Sequence, residues 1–242
     1  MIYVTAGGGY VGREIVERLV KAGQRVRALV TIPEEGRAIE GPNVVTVVGD
    51  RARPETFAPT LAGADAAMLF TRNARDLVAK DASFCENMLW FVDEIRASGA
   101  FSLPMGNGRV GMIDYHDIAD VAVKCLTQTG HEGRSYQLSG PELLSCADIA
   151  TKLSRVTGIP IRFNDMPPDE FRKLLMSMGR PAWHAEEMTV SYLGMSKGAS
   201  AVLTEEVQRV LGRPATPFDR VAADYARLFR ADGDTRRVQR TR

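Results

Sequence analysis

In the first third of the chain, short wholly apolar runs alternate with longer stretches whose apolar residues recur every three or four positions. Ile2–Thr5 reads as a buried strand, and Val11–Ala22 as a helix with Val11, Ile15, Leu19 and Val20 on one face. Gly23 ends that helix as a glycine just past a helical C-terminus does. Arg25–Val30 is the second strand, closed by Pro33, and Val44–Val48 the third, running into Gly49-Asp50. Pro54–Leu61 reads as a short helix and Ala66–Phe70 as a fourth strand. Strands alternating with helices at this spacing predict the α/β class with a doubly wound parallel sheet. Beyond the fourth strand, Leu77, Phe84, Met88, Leu89, Val92 and Ile95 keep a helical stripe, and no Gly or Pro interrupts Ala74–Ser98. That pattern predicts one continuous helix of about 25 residues. The chain divides into residues 1–139, a small and mostly helical C-terminal lobe over 140–230, and a basic tail over 231–242.

Composition narrows the range of function. The 242 residues are 45% hydrophobic, enough for a substantial core, and carry a net charge of +1, which gives no reason to expect nucleic acid or an anionic membrane as partner. No apolar run approaches the length of a membrane span. A strand beginning at Ile2 leaves no room for a signal peptide, so the expected location is cytoplasmic. Cys85, Cys125 and Cys146 are odd in number, widely spaced and without histidines at ligand spacing. They read as reduced thiols, and no metal is expected.

The densest signal is VTAGGGYVGREIV at Val4–Val16. Gly7, Gly9 and Gly12 spell G-x-G-x-x-G between a predicted strand and a predicted helix, the context that makes this pattern informative. One glycine allows a tight turn, one lets the backbone approach a pyrophosphate, and one lets helix pack on strand. The helix N-terminus then offers free N–H groups to the phosphates. A dinucleotide, NAD or NADP, is the cofactor this arrangement implies. An NAD site carries an acidic residue at the end of the second strand, where this chain has the neutral Thr31. Glu34 and Glu35 lie beyond Pro33 and read as solvated, while Arg27 and Arg37 are candidates to meet a 2′-phosphate, so the balance tilts slightly to NADP. No Y-x-x-x-K occurs, and no catalytic residue is assigned. His116 and Asp117 in IDYHDIADVAV suggest acid–base work, but Asp117 also suits the N-cap of a helix over Ile118–Leu126. His131 reads as a turn residue.

Several stretches together carry a resemblance: MIYVTAGGGYVG, VRALV, VVGD, LAGADAAMLFT, MIDYHDIADVAVKCLT, GHEGRSYQLSGPELLS and GRPAWHAEEM. Over nearly its whole length the chain resembles the NmrA-like atypical short-chain dehydrogenases, a group including NAD(P)H:quinone oxidoreductase type 2 and triphenylmethane reductase relatives. The resemblance implies a Rossmann-type fold and a dinucleotide held by Gly7, Gly8, Gly9, Tyr10, Val11 and Gly12, with Thr31 and Asp50 toward its adenosine half. It also implies a substrate cleft near Asn87, Trp90, Trp183, His184 and Tyr192; the two tryptophans suit a core equally well. The family's T-G-A-T-G-x-x-G differs here in that Ala6 replaces the first glycine and Gly7 follows it. An arginine that often closes the family's second strand is Thr31 in this chain.

The same resemblance exposes a gap. NARDLVAKDASF looks like the start of the family's next helix, and CENMLWFVDEIRASG like the stretch after its sixth strand; they abut at Phe84-Cys85. Several dozen residues holding a strand–helix–strand unit are therefore expected to be missing. The fourth strand would lose its neighbour, and an open strand edge invites association. Either a homodimer covers that edge, or a later strand such as Ser135–Leu138 does so within one chain. The implied function is NAD(P)H-dependent reduction of a quinone-like or other planar electrophile, the alternative being a non-catalytic dinucleotide sensor acting on a protein partner.

Overall fold

The structure is a computed structural model of the chain and describes residues 1–50, 53–70 and 91–230. Its first unit is a four-stranded sheet in the order β3-β2-β1-β4, built from β1 (Ile2–Val4), β2 (Val26–Val30), β3 (Val44–Val48) and β4 (Ala66–Met68). All neighbouring pairs are parallel, with Val4 opposite Ala28 and Met68, and Val30 opposite Val48. β1 is buried at every position, as a central parallel strand covered on both faces must be.

The pleat sorts these residues. Ile2, Val4, Val26, Ala28 and Val30 join the cluster that packs against Ile15, Val16 and Leu19 of α1 (Tyr10–Lys21) and Ala119 of α4 (Tyr115–Thr127). Tyr3 and Arg27, cross-strand neighbours, take the opposite face. There the Tyr3 hydroxyl meets Thr60 Oγ1 at 2.8 Å, and the Arg27 guanidinium donates to the carbonyls of Thr60 and, at 2.8 Å, Ala62. Arg27 therefore fastens the segment after β3 to the sheet rather than meeting a phosphate. That segment, expected as one helix over Pro54–Leu61, forms two 3₁₀ turns, Pro54–Thr56 and Ala58–Leu61. Pro59 lacks the N–H an α-helix would require there. Two turns cover less than a helix does, and Val45, beside Arg27 on the same face, stays 54% exposed.

α1 ends in a Schellman motif: Gly23 at φ +77° donates to the Val20 carbonyl, and Gln24 to that of Leu19. α2 (Pro33–Arg37) is a one-turn helix that Pro33 starts, where only the end of β2 was expected. The expected helix over Ala74–Ser98 falls mostly outside the described residues, as does the Phe84-Cys85 junction; its last part is α3 (Val92–Ser98), closed by Gly99 at φ +66°.

The second unit pairs β5 (Ala100–Leu103) in parallel with β8 (Arg162–Asp165), and β6 (Arg109–Gly111) antiparallel with β7 (Leu143–Ser145). Around them lie α5 (Cys146–Thr157), α6 (Pro168–Ser177), α7 (Ala182–Ser196), α8 (Glu206–Leu211) and α9 (Phe218–Tyr225). Ser145 and Asp148 form a reciprocal capping box at the start of α5. One core cluster runs from Phe91 to Phe229 and takes in Phe101, Leu103, Cys146, Leu153, Phe171 and Tyr192. Cys146 is fully buried there, and burial, helped by the nearby Asp165 charge, pushes its thiol up to about 12. Ser135–Leu138 forms no strand. Its neighbour Ser139 accepts the Thr204 N–H at 2.9 Å, and the Thr204 hydroxyl donates to the Gln137 carbonyl, so a loop rather than a sheet holds this stretch.

The start of α4 also differs from expectation. Its N-cap is Asp114, whose carboxylate accepts the His116 N–H at 3.0 Å, and the helix begins one residue later, at Tyr115. Asp117 lies inside the first turn and is fully buried. It accepts from the Thr216 N–H at 2.6 Å and hydroxyl at 3.1 Å, and pairs with Arg213 at 2.7 Å. The second arm of Arg213 reaches Asp120 at 2.6 Å, and Asp120 also holds Arg18 of α1. This chain of charges ties α1, α4 and the loop after α8 together. Asp117→Ala leaves the part-buried Thr216 N–H without its acceptor and Arg213 with Asp120 alone. Urea unfolding should show a loss of about 2–3 kcal/mol, below the usual cost of breaking a buried pair because Arg213 is partly solvated.

Candidate functional site

The turn between β1 and α1 is built from backbone because nothing else fits. A Cβ on Gly12 would lie 2.0 Å from the Ala6 carbonyl oxygen, and one on Gly7 2.8 Å from Cβ of Ala28. Gly7 also donates to the Leu29 carbonyl at 2.8 Å, tying the turn to β2. Gly9 is different: it is exposed, its φ is −77°, and a Cβ there would find only the Ala6 oxygen, at 3.5 Å. α1 starts at Tyr10 with Gly9 as N-cap and no capping side chain. Its first N–H groups, those of Tyr10, Val11 and Gly12, therefore open past Gly9 with the positive end of the helix dipole behind them. This is an anion-binding geometry.

Ala6 is the one described non-glycine residue at positive φ, +55°. It takes the left-handed conformation that the family's glycine would adopt without strain, and it does so because its carbonyl must turn onto Gly12.

Parallel strands end together, so the residues following β2 and β3 lie along the same edge as the glycine turn. Thr31 is exposed there, and Asp50 pairs with Arg53 at 3.3 Å while its N–H donates to Thr56 Oγ1. Of the two acids expected in solvent, Glu34 is exposed and pairs with Arg37 at 3.3 Å. Glu35 folds back instead: its carboxylate accepts the Thr31 N–H at 2.8 Å and would meet a Cβ on Gly8 at 2.6 Å.

Beside the turn, the Tyr10 ring lies 6.4 Å from that of Tyr115, which stacks on His116 at 4.0 Å and reaches the Tyr225 hydroxyl at 3.4 Å. His116 Nδ1 is 2.8 Å from the Asp114 carboxylate, and this hydrogen bond outweighs burial to hold the imidazole above its ordinary pKa. Burial raises Asp114, but the hydrogen bonds from His116 win and leave it below the usual carboxylate range. Arg18, Asp114, His116, Asp117, Asp120 and Arg213 line a cavity of about 430 Å³. Their pairing with one another marks it as a junction between elements. A second cavity of about 380 Å³ lies at the ends of β5 and β8, lined among others by Met105, Asn107, Asp165, Met166 and Leu193.

Among the described residues, the expected substrate residues Trp183 and Tyr192 differ in burial. Trp183 is on the surface of α7, 64% exposed, with its ring 5.4 Å from His184. Tyr192 is buried in the second core, edge-on to Phe171 of α6 at 5.3 Å. Asn87 and Trp90 lie outside the described residues. His131 sits in a turn, as expected, and bonds the Tyr136 hydroxyl at 2.7 Å. No group of three or more metal-ligating side chains occurs among the described residues, nor a helix long and apolar enough to cross a membrane.

Comparison with known proteins supplies the lineage. Residues 7–99 match the NAD(P)H-binding family model. A (4-alkanoyl-5-oxo-2,5-dihydrofuran-3-yl)methyl phosphate reductase of Streptomyces griseus is 32% identical over 95% of this chain and 99% of its own length. The chain belongs to the NmrA-like NAD(P)H-binding reductases. An NAD(P)H azoreductase of Xenophilus azovorans is 29% identical, covering 96% of this chain and all of the relative. That alignment runs over 285 positions against 242 residues here, so the azoreductase carries segments for which this NmrA-like chain has no counterpart. In fold, the chain is similar to the NADPH complex of an NADPH-dependent quinone oxidoreductase from Escherichia coli, with a TM-score of 0.77 and 18% identity over 93% of this chain and 99% of that one. This NmrA-like reductase is an NAD(P)H-dependent oxidoreductase on a Rossmann-type sheet with a helical C-terminal part.

Replacing Ala6 with glycine relieves the left-handed strain and adds backbone entropy to the unfolded chain, which offsets part of the gain. A net stabilisation of about 0.5–1 kcal/mol is expected in chemical denaturation.

Proposed function

We propose that this reductase holds the pyrophosphate of NAD(P)H on the backbone of Gly7, Gly8, Gly9, Tyr10, Val11 and Gly12, with the adenosine half extending toward Thr31 and Asp50. The observation that carries this is the division of labour among the glycines: Gly7 and Gly12 are closed by packing, whereas Gly9 is open beside the first N–H groups of α1. When bound, the reduced dinucleotide supplies a hydride, and the acceptor takes a proton from water to complete its reduction. The acceptor we propose is a quinone-like or other planar electrophile, held against the C-terminal lobe (140–230), where Trp183 offers an exposed aromatic face. Relatives named azoreductase and quinone oxidoreductase support a flat, conjugated substrate.

A side chain at Gly9 would occupy the phosphate position without disturbing the fold, since its backbone φ suits any residue and the space is open. Gly9→Val should therefore abolish NADH and NADPH binding in calorimetry with the chain still folded and at most a small fall in melting temperature, and abolish the oxidation of NAD(P)H expected of the wild type with quinone and azo acceptors. Retained binding in that variant would contradict the assignment.

We further propose a homodimer. Among the described residues β4 pairs only with β1, and the adjoining Leu69 is 58% exposed. Multi-angle light scattering at micromolar concentration should give the dimer mass; a monodisperse monomer would exclude it.

A further inference from the structure

The end of β2 is where a dinucleotide on this turn presents its adenosine ribose. Thr31, the residue at that place in the sequence, brings neither a carboxylate nor a guanidinium. The charge there comes from four residues further on. Glu35 returns over the glycine turn, accepts the Thr31 N–H at 2.8 Å and lies so close above Gly8 that a Cβ on that glycine would meet the carboxylate at 2.6 Å. Its helix cannot swing aside without cost. Gly36 is buried against Thr46 of β3, where a Cβ would lie 3.1 Å from the Thr46 hydroxyl, and Ile39 is seated in the first core. Three described cations of this sheet and its edge are engaged away from Glu35: Arg27 holds the Thr60 and Ala62 carbonyls on the sheet face, Arg37 pairs with Glu34, and Arg53 with Asp50.

We infer that Glu35 sets the choice of cofactor and that it selects NADH over NADPH. Its carboxylate accepts a hydrogen bond from the ribose 2′-hydroxyl and repels a 2′-phosphate, which reverses the slight tilt to NADP given by the sequence alone. The inference rests on the placement of the pyrophosphate on Gly7–Gly12. One carboxylate facing a phosphate across a solvated site corresponds to about a tenfold difference in affinity.

Calorimetric titration with NADH and with NADPH tests this in the wild type, Glu35→Gln and Gly9→Val. Glutamine keeps an acceptor for the Thr31 N–H, so the turn is preserved while the charge is removed. The wild type should bind NADH about tenfold more tightly than NADPH, with the gap narrowing as salt is added. Glu35→Gln should bring the two affinities together, mainly by tightening NADPH. A Glu35 that merely braced the turn would change both affinities by the same factor, and an unchanged ratio in the glutamine variant overturns the inference. A wild-type preference for NADPH overturns it equally. Both results leave the glycine-turn assignment standing as long as Gly9→Val binds neither nucleotide. If Gly9→Val binds both as the wild type does, the placement of the pyrophosphate fails and the role of Glu35 fails with it.

Discussion

The contact between the Ala6 carbonyl and the Cα of Gly12 is the constraint that shapes the first unit. With no room for a methyl group between them, α1 must begin directly above the end of β1. That fixes the axis of α1 over the central strand and aims its uncapped N-terminus across the edge where β1, β2 and β3 finish. It also places Ile15, Val16 and Leu19 on the sheet and Arg18 within reach of α4. The strained conformation of Ala6 is the local cost of that approach. The turn thus closes Gly7 and Gly12 in packing and leaves Gly9 open.

α4 carries the connection onward. Asp120 is shared between Arg18 on one side and Arg213 on the other, buried Asp117 holds Arg213 as well, and Ala119 joins the first core. Tyr115 at its start lies between Tyr10 of the glycine turn and Tyr225 of the C-terminal unit. Among the described residues, the two core clusters are joined by these polar and aromatic contacts.

The four strands of the first sheet were legible in the sequence to within two residues because each is a short, mostly apolar run bounded by turn residues, whereas β5 to β8 were not read there. The glycine turn was legible because its spacing reports backbone contacts. What escaped depends on partners distant in the chain. Asp114 and Asp117 both precede the apolar periodicity of α4 and suit a cap equally well; Arg213 and Thr216, a hundred residues on, decide that Asp117 goes inside. Glu35 looks like surface charge in its local context, and only the one-turn helix started by Pro33 bends it back onto Gly8. Arg27 is one more cation in a strand until Thr60 and Ala62 claim it. Tyr192 resembled a cleft residue by position and belongs to the core because Phe171 packs against it.

The buried thiol of Cys146 gives the second unit a built-in clock. A thiol held near 12 and shut inside the core is neither ionised nor reachable in the folded state at neutral pH. Cys125, on the first unit, is only partly buried. An alkylating reagent therefore meets the two at different times, and the slower reaction is limited by how often the core around α5 opens. The chain carries its own reporter of whether its two units loosen together or one at a time.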